Sequence, residues 1–196
     1  MVRILGIDPG TQCVGFAVLE LAISAPRRPG AAAPLALRAS NVRAVGAMAG
    51  GDAQVVECGV LRLGTRKTPL AARLFELTGR FRDLVLAHRP DEVALEEAFY
   101  GKSVQAALRI GEARGVILAE SARAGVEVHQ FPPARVKRCV TGRGDATKDV
   151  VAGMVARLVR MPAGAEMLPR DATDAIGIAL TRLEERRSPL LDRELG

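Results

Sequence analysis

Four acidic residues carry the chemistry this sequence offers: Asp8, Glu96, Asp171 and Asp174. Asp8 closes the run Arg3-Ile4-Leu5-Gly6-Ile7 and is followed by Pro9-Gly10-Thr11. A short run rich in Ile and Leu, stopped by a Pro-Gly turn, is the pattern of a buried central strand. Its last carboxylate stands at the tip of a sheet, where a solvated surface charge does not explain it. Glu96 similarly ends the run Val93-Ala94-Leu95. Asp171 and Asp174 are three apart at a helix start and share a face. Each acid alone has a plainer explanation: a turn initiator for Asp8, a solvated strand end for Glu96, an N-cap and a first-turn acid for the other two. Gathered together, they repel one another, and some keep their protons. Two Mg²⁺ or Mn²⁺ ions would cancel that charge, since hard cations prefer oxygen ligands. Two such ions about 4 Å apart clamp the attacking and leaving oxygens of a phosphodiester in in-line displacement. The chemistry expected is cleavage of a nucleic-acid backbone.

The elements that must position these acids follow from periodicity. Residues 2–8 and 13–20 read as two strands of a hairpin. Residues 21–53 are dominated by Ala, Pro, Gly and Arg and read as an extended excursion, with Arg27, Arg28, Arg38 and Arg43 able to touch phosphates. A third strand is expected over 55–61. Thr68 is expected to cap a helix that has Pro69 at its first position. Leu70, Leu74, Leu77, Phe81 and Leu84 form its apolar stripe. A strand follows at 91–96, then a helix at about 102–123. Gly111 and Gly115 lie four apart on that helix and predict close approach of another backbone, in the sheet packing or in a dimer. Residues 126–131 alternate as a fifth strand. Helices are expected at 134–140, from Thr147 to about Arg160, and from Arg170 or Asp171 to about 187. The fold class is α/β, a mixed five-stranded sheet flanked by helices. One domain is expected over 1–187, with a flexible tail at 188–196. If the strands ending in Asp8 and Glu96 are parallel neighbours, both carboxylates leave the same edge, where ligands gather in open α/β sheets.

The totals are compatible with this. The 196 residues carry a formal charge of +6 and are 48% hydrophobic. A core is within reach, and a basic balance suits a polyanion, though weakly on its own. No apolar run is long enough to span a membrane and no signal peptide is evident, so a soluble cytoplasmic protein is expected. Three cysteines, Cys13, Cys58 and Cys139, have no metal spacing and read as small buried hydrophobes. His88 and His129 are isolated, which argues against zinc.

Ile4-Leu5-Gly6-Ile7-Asp8-Pro9-Gly10-Thr11, Ala94-Leu95-Glu96-Glu97-Ala98-Phe99, Ala113-Arg114-Gly115-Val116 and Asp171-Ala172-Thr173-Asp174-Ala175 resemble the RuvC family of Holliday junction resolvases. Pro133-Ala134-Arg135-Val136-Lys137 and Ala146-Thr147-Lys148 resemble it too. The likeness spans nearly the whole chain in order, apart from 21–53 and the tail. It implies a ribonuclease H-like fold, a homodimer and paired nicking of a four-way DNA junction, with 5′-phosphate and 3′-hydroxyl products. It implies Asp8, Glu96, Asp171 and Asp174 as the quartet for two metal ions, and the RuvA–RuvB branch-migration complex as a partner. Phe99 matches an aromatic near the junction centre, with Tyr100 beside it. Lys102, Lys137 and Lys148 match basic positions that contact phosphates, and Lys148 is expected to stabilise the transition state. Arg143, in the loop Gly142-Arg143-Gly144, is a further candidate contact. The excursion at 21–53 is longer than the family's connection and leaves DNA entry on that side open. Two rival readings differ in class. An actin-like ATPase needs a second phosphate loop that this chain does not show. A non-catalytic junction-binding module would have no use for the acid quartet.

Overall fold

The computed structural model describes residues 1–21, 53–97, 103–161 and 168–187. The elements are β1 (Val2–Asp8), β2 (Cys13–Leu21), β3 (Ala53–Arg62), α1 (Leu70–His88), β4 (Glu92–Glu96), α2 (Val104–Arg123), β5 (Glu127–Phe131), α3 (Pro133–Thr141), α4 (Lys148–Leu158), β6 (Val159–Arg160) and α5 (Arg170–Arg187). The strand order is β5-β4-β1-β2-β3-β6. β1, β2 and β3 form an antiparallel meander, while β4 lies parallel to β1 and β5 parallel to β4. The sheet is mixed, as expected.

Ile4, Leu5, Ile7, Val93, Ala94 and Leu95 are wholly buried because β1 and β4 are covered on both faces. Each large aliphatic side chain so placed contributes about 1.5–3 kcal/mol relative to exposure. On one face Leu5, Ile7, Val93 and Leu95 pack against Leu77, Phe81, Ala113 and Ile117 of α1 and α2. On the other, Val2, Ile4 and Ala94 meet Ile176, Ile178, Ala179 and Leu180 of α5, with α3 and α4 outside it.

Four expectations need correction. Among the described residues the sheet has six strands: α4 stops at Leu158, and Val159 turns extended to pair with Ala53 on the edge of β3. A two-residue strand leaves no periodic trace in a sequence. The first cap lies one residue later than expected. Pro69 is the N-cap of α1, and Thr68 Oγ1 instead accepts from the Thr65 backbone at 3.1 Å. Among the described residues nothing packs against Gly111 or Gly115, which removes the sheet-packing branch of that expectation and leaves the dimer branch. The three cysteines are free and partly exposed, not fully buried. Residues 22–52, 98–102 and 188–196 lie outside the described residues, and with them the expected excursion, Phe99, Tyr100, Lys102 and the tail.

Candidate active site

Strand alternation decides where the acids point. Successive side chains of a strand face opposite sides. In β1, Val2 and Ile4 face α5, so Gly6 and Asp8 do too. In β4, Ala94 faces α5, so Glu92 and Glu96 share its side. The parallel register pairs Gly6 with Ala94 and Ile7 with Leu95, which sets Asp8 beside Glu96 at the carboxyl edge. β2 repeats the pattern, with Ala17 and Leu19 on the α5 side and therefore Cys13 and Gly15 as well.

Two glycines let α5 settle on this face. A Cβ on Gly6 would lie 2.2 Å from the Ala175 carbonyl oxygen, and one on Gly15 would lie 2.0 Å from that of Asp171. Backbone therefore rests on backbone where Asp171 and Asp174 emerge. The far end of α5 is clamped by buried Glu92, which accepts from Arg182 Nε at 2.7 Å and also pairs with Arg186. Burial works against ionisation of Glu92, but the Arg182 bonds and both guanidinium charges hold its carboxyl below the usual range.

The four acids feel one another. Burial first, then the charges of Glu96, Asp174 and Asp171, push the Asp8 carboxyl up to about 8, against a smaller opposing pull from Lys148. Glu96 is raised by burial and by Asp174, and its side chain is hydrogen-bonded to Asp8. Lys148 Nζ donates to Asp174 Oδ2 at 2.7 Å. That bond, with the field of Asp174, Asp8 and Glu96, raises the ammonium's affinity for its proton. Cys13 Sγ donates to Asp171 Oδ2 at 3.2 Å; burial and this bond push the thiol up. Arg114 donates to the Glu96 carbonyl and to Gln130 Oε1, bracing the end of β4.

These donors fit hard divalent cations chemically, being carboxylate oxygens whose mutual repulsion is only partly answered by one lysine. Among the described residues, no three acidic, histidine or cysteine side chains are arranged to close on one ion. Lys148 and Cys13 occupy Asp174 and Asp171, so an ion would have to displace them. A hollow of about 510 Å³ lies at the opposite end of β4 and β5, beside Arg82, Arg89 and Arg123, and includes none of the four acids.

Of the other candidates, Lys137 sits partly exposed on α3. Arg143 is exposed and pairs with Asp145 at 3.1 Å, so part of its charge is answered locally. Sequence reasoning gave Cys13 only a packing role and assigned none to Arg114, Gly6 or Gly15. A signal existed for the two glycines, which interrupt otherwise apolar strands, a mark of close backbone approach.

Comparisons with known proteins agree with the arrangement. The family model described as "Crossover junction endodeoxyribonuclease RuvC" matches residues 38–182. A protein of that name from Chlorobium phaeovibrioides is 37% identical over 180 residues, covering 92% of this chain and 80% of the relative. Another from Halorhodospira halophila is 33% identical over 196 residues, spanning 100% of this chain and 98% of the relative, so its match takes in β1 and Asp8. The structure of Thermus thermophilus RuvC in complex with a Holliday junction substrate has a TM-score of 0.73 at 26% identity, covering 96% of this chain and 97% of that one. A six-stranded mixed sheet whose edge gathers Asp8, Glu96, Asp171 and Asp174 thus coincides with sequence likeness over most of the length, and the chain belongs to the RuvC family of crossover junction endodeoxyribonucleases.

Proposed function

We propose that this chain resolves four-way DNA junctions by hydrolysing phosphodiesters, with Asp8, Glu96, Asp171 and Asp174 holding two Mg²⁺ or Mn²⁺ ions. The observation that carries it is the hydrogen-bonded Asp8–Glu96 pair at the sheet edge, with Asp8 pushed to about 8 by burial and three other acids. Crowded carboxylates of this kind are relieved by a bound cation, and strongly shifted acids cluster at functional sites. When bound, the ions supply Lewis-acid stabilisation of the attacked phosphate and lower the pKa of water. The chain's own residues do the rest. Asp8 must give up its proton before it can act as a ligand. Lys148 releases Asp174 and turns its ammonium to the phosphate oxygens, where charge develops in the transition state.

Lys137 and Arg143 extend the phosphate-binding surface from α3 and its following loop, and Phe99, Tyr100 and Lys102 are further DNA contacts. Residues 1–187 work as one nuclease unit in the cytoplasm. A homodimer is supported by α2, whose outward face shows Val104 and Leu108 at 63% and 62% exposure beside the open Gly111 and Gly115. Pairing there sets two active sites to nick two strands, and the branch-migration proteins RuvA and RuvB are the partners expected.

The test is incubation of a synthetic mobile four-way junction with the intact chain and with Asp8→Asn, with and without divalent ions. Symmetric, divalent-dependent nicks with 5′-phosphate ends are expected from the intact chain, and binding without cleavage from the variant. Cleavage that survives Asp8→Asn, or that ignores divalent ions, overturns the assignment.

A further inference from the structure

Arg73 is badly placed for a cation. It is the fourth residue of α1 and only 5% exposed. The first turn of that helix holds no acid, and the positive end of the helix dipole lies there. It forms no ion pair among the described residues; its bonds go to one residue of the β1–β2 turn. Nη1 donates to the Thr11 carbonyl at 2.8 Å and to Thr11 Oγ1 at 3.2 Å. Its Nε is sealed from solvent without a partner. A buried charge lacking a counter-charge is costly, and a fold keeps one where something compensates it.

Thr11 shows what that is. Its hydroxyl oxygen accepts from Arg73, so its proton is free to donate elsewhere. Thr11 is partly exposed and three residues past Asp8, in the turn that closes the catalytic edge. Two bound ions bring the four carboxylates only to neutrality and leave the incoming phosphate's own negative charge to be met. A hydroxyl donor backed by a buried guanidinium meets it. Resting on the junction-cleavage reading above, we propose that the Thr11 hydroxyl binds a non-bridging oxygen of a DNA phosphate beside the scissile bond. Arg73 is its positioning residue, holding the hydroxyl from beneath and supplying the positive field.

The experiment compares Thr11→Val, Thr11→Ser, Arg73→Met and the Val/Met double variant. Kd for a fluorescent four-way junction is measured by anisotropy in the Asp8→Asn background with Mg²⁺, and the thermal midpoint is recorded for each. Thr11→Val keeps the backbone bond to Arg73 and removes the hydroxyl together with the 3.2 Å bond it accepts from Arg73. It is expected to weaken binding about 10- to 100-fold, the range for one hydrogen bond to a charged group, with a lower midpoint that Thr11→Ser restores. Thr11→Ser restores binding, Arg73→Met loses as much as Thr11→Val, and the double variant loses no more. Unaltered Kd in Thr11→Val, additive losses, or a Ser variant as weak as Val overturns the proposal. If Arg73→Met fails to fold, the Val and Ser pair still decides. A chain that binds the junction but never cuts it ends the nuclease reading, while the Thr11 comparison remains legible in Kd.

Discussion

Removing the Asp8 charge should stabilise the metal-free protein, and by more as pH rises. The Asp8 carboxyl ordinarily titrates at 3.8 and is pushed to about 8 in the fold. Below 3.8 both folded and unfolded chains hold this proton, and the fold has its full stability. As pH rises towards 8 the unfolded chain releases the proton and the folded chain keeps it. Stability then falls by about 1.4 kcal/mol for each pH step. Between pH 5 and pH 8 the ceiling on that loss is about 4 kcal/mol. The carboxyl is only partly enclosed, so water and shifts of Lys148 relieve some of it, and about 2 kcal/mol is expected.

Asp8→Asn abolishes this pH-dependent loss while keeping the shape and a hydrogen bond for Glu96. For a chain of this length, 2 kcal/mol is about 4–8 °C in thermal midpoint. Melting curves in EDTA at pH 5, 6, 7 and 8 measure the gap between parent and variant. The gap should widen with pH and close on adding Mg²⁺, which stabilises only the parent. A gap that is flat with pH refutes the crowding of acids around Asp8. So does a variant less stable than the parent at pH 8.

Lys148→Met frees Asp174 from its 2.7 Å ion pair. Apparent Mg²⁺ affinity should rise a few-fold, while single-turnover cleavage at saturating Mg²⁺ falls about 100-fold, the size of one lost electrostatic contact to the transition state; a fall in both would make Lys148 a scaffold residue. Gly15→Ala places a methyl 2.0 Å from the Asp171 carbonyl. It should cost about 3 kcal/mol, read as a lower denaturant midpoint, and cleavage should drop with it as α5 lifts.

What the sequence made legible were features written in contiguous residues. The run ending at Asp8 announced a central strand, and the Leu77-Phe81-Leu84 stripe announced α1, both found buried. Pairing was different in kind. That Asp8 stands beside Glu96 depends on the register of β1 against β4, which are separated by a helix and two strands. Alternation predicts which side a carboxylate faces but not which strand is its neighbour. The contacts of Cys13 with Asp171 and of Arg182 with Glu92 are set by tertiary placement, and no spacing rule reaches that far. β6 escaped because Val159 leaves the helix to complete a sheet edge, where tertiary pairing outweighs a helical pattern.

The site is held from both sides of the sheet, which explains how it stays assembled against its own repulsion. From one face α5 lowers Asp171 and Asp174 onto Gly6 and Gly15, and the Glu92 clamp at its other end resists tilting. From the opposite face, Arg73 of α1 grips the turn that follows Asp8. An outward push on Asp8 by its acidic neighbours therefore works against packing above and hydrogen bonds below. Three of the four acids sit at the ends of β1 and β4 or in the first turn of α5, not on free loops. Their separation is then governed by strand register and helix seating. The parts free to respond are the Lys148 side chain and the proton on Asp8. Ion binding should therefore be a local exchange of charge rather than a folding event.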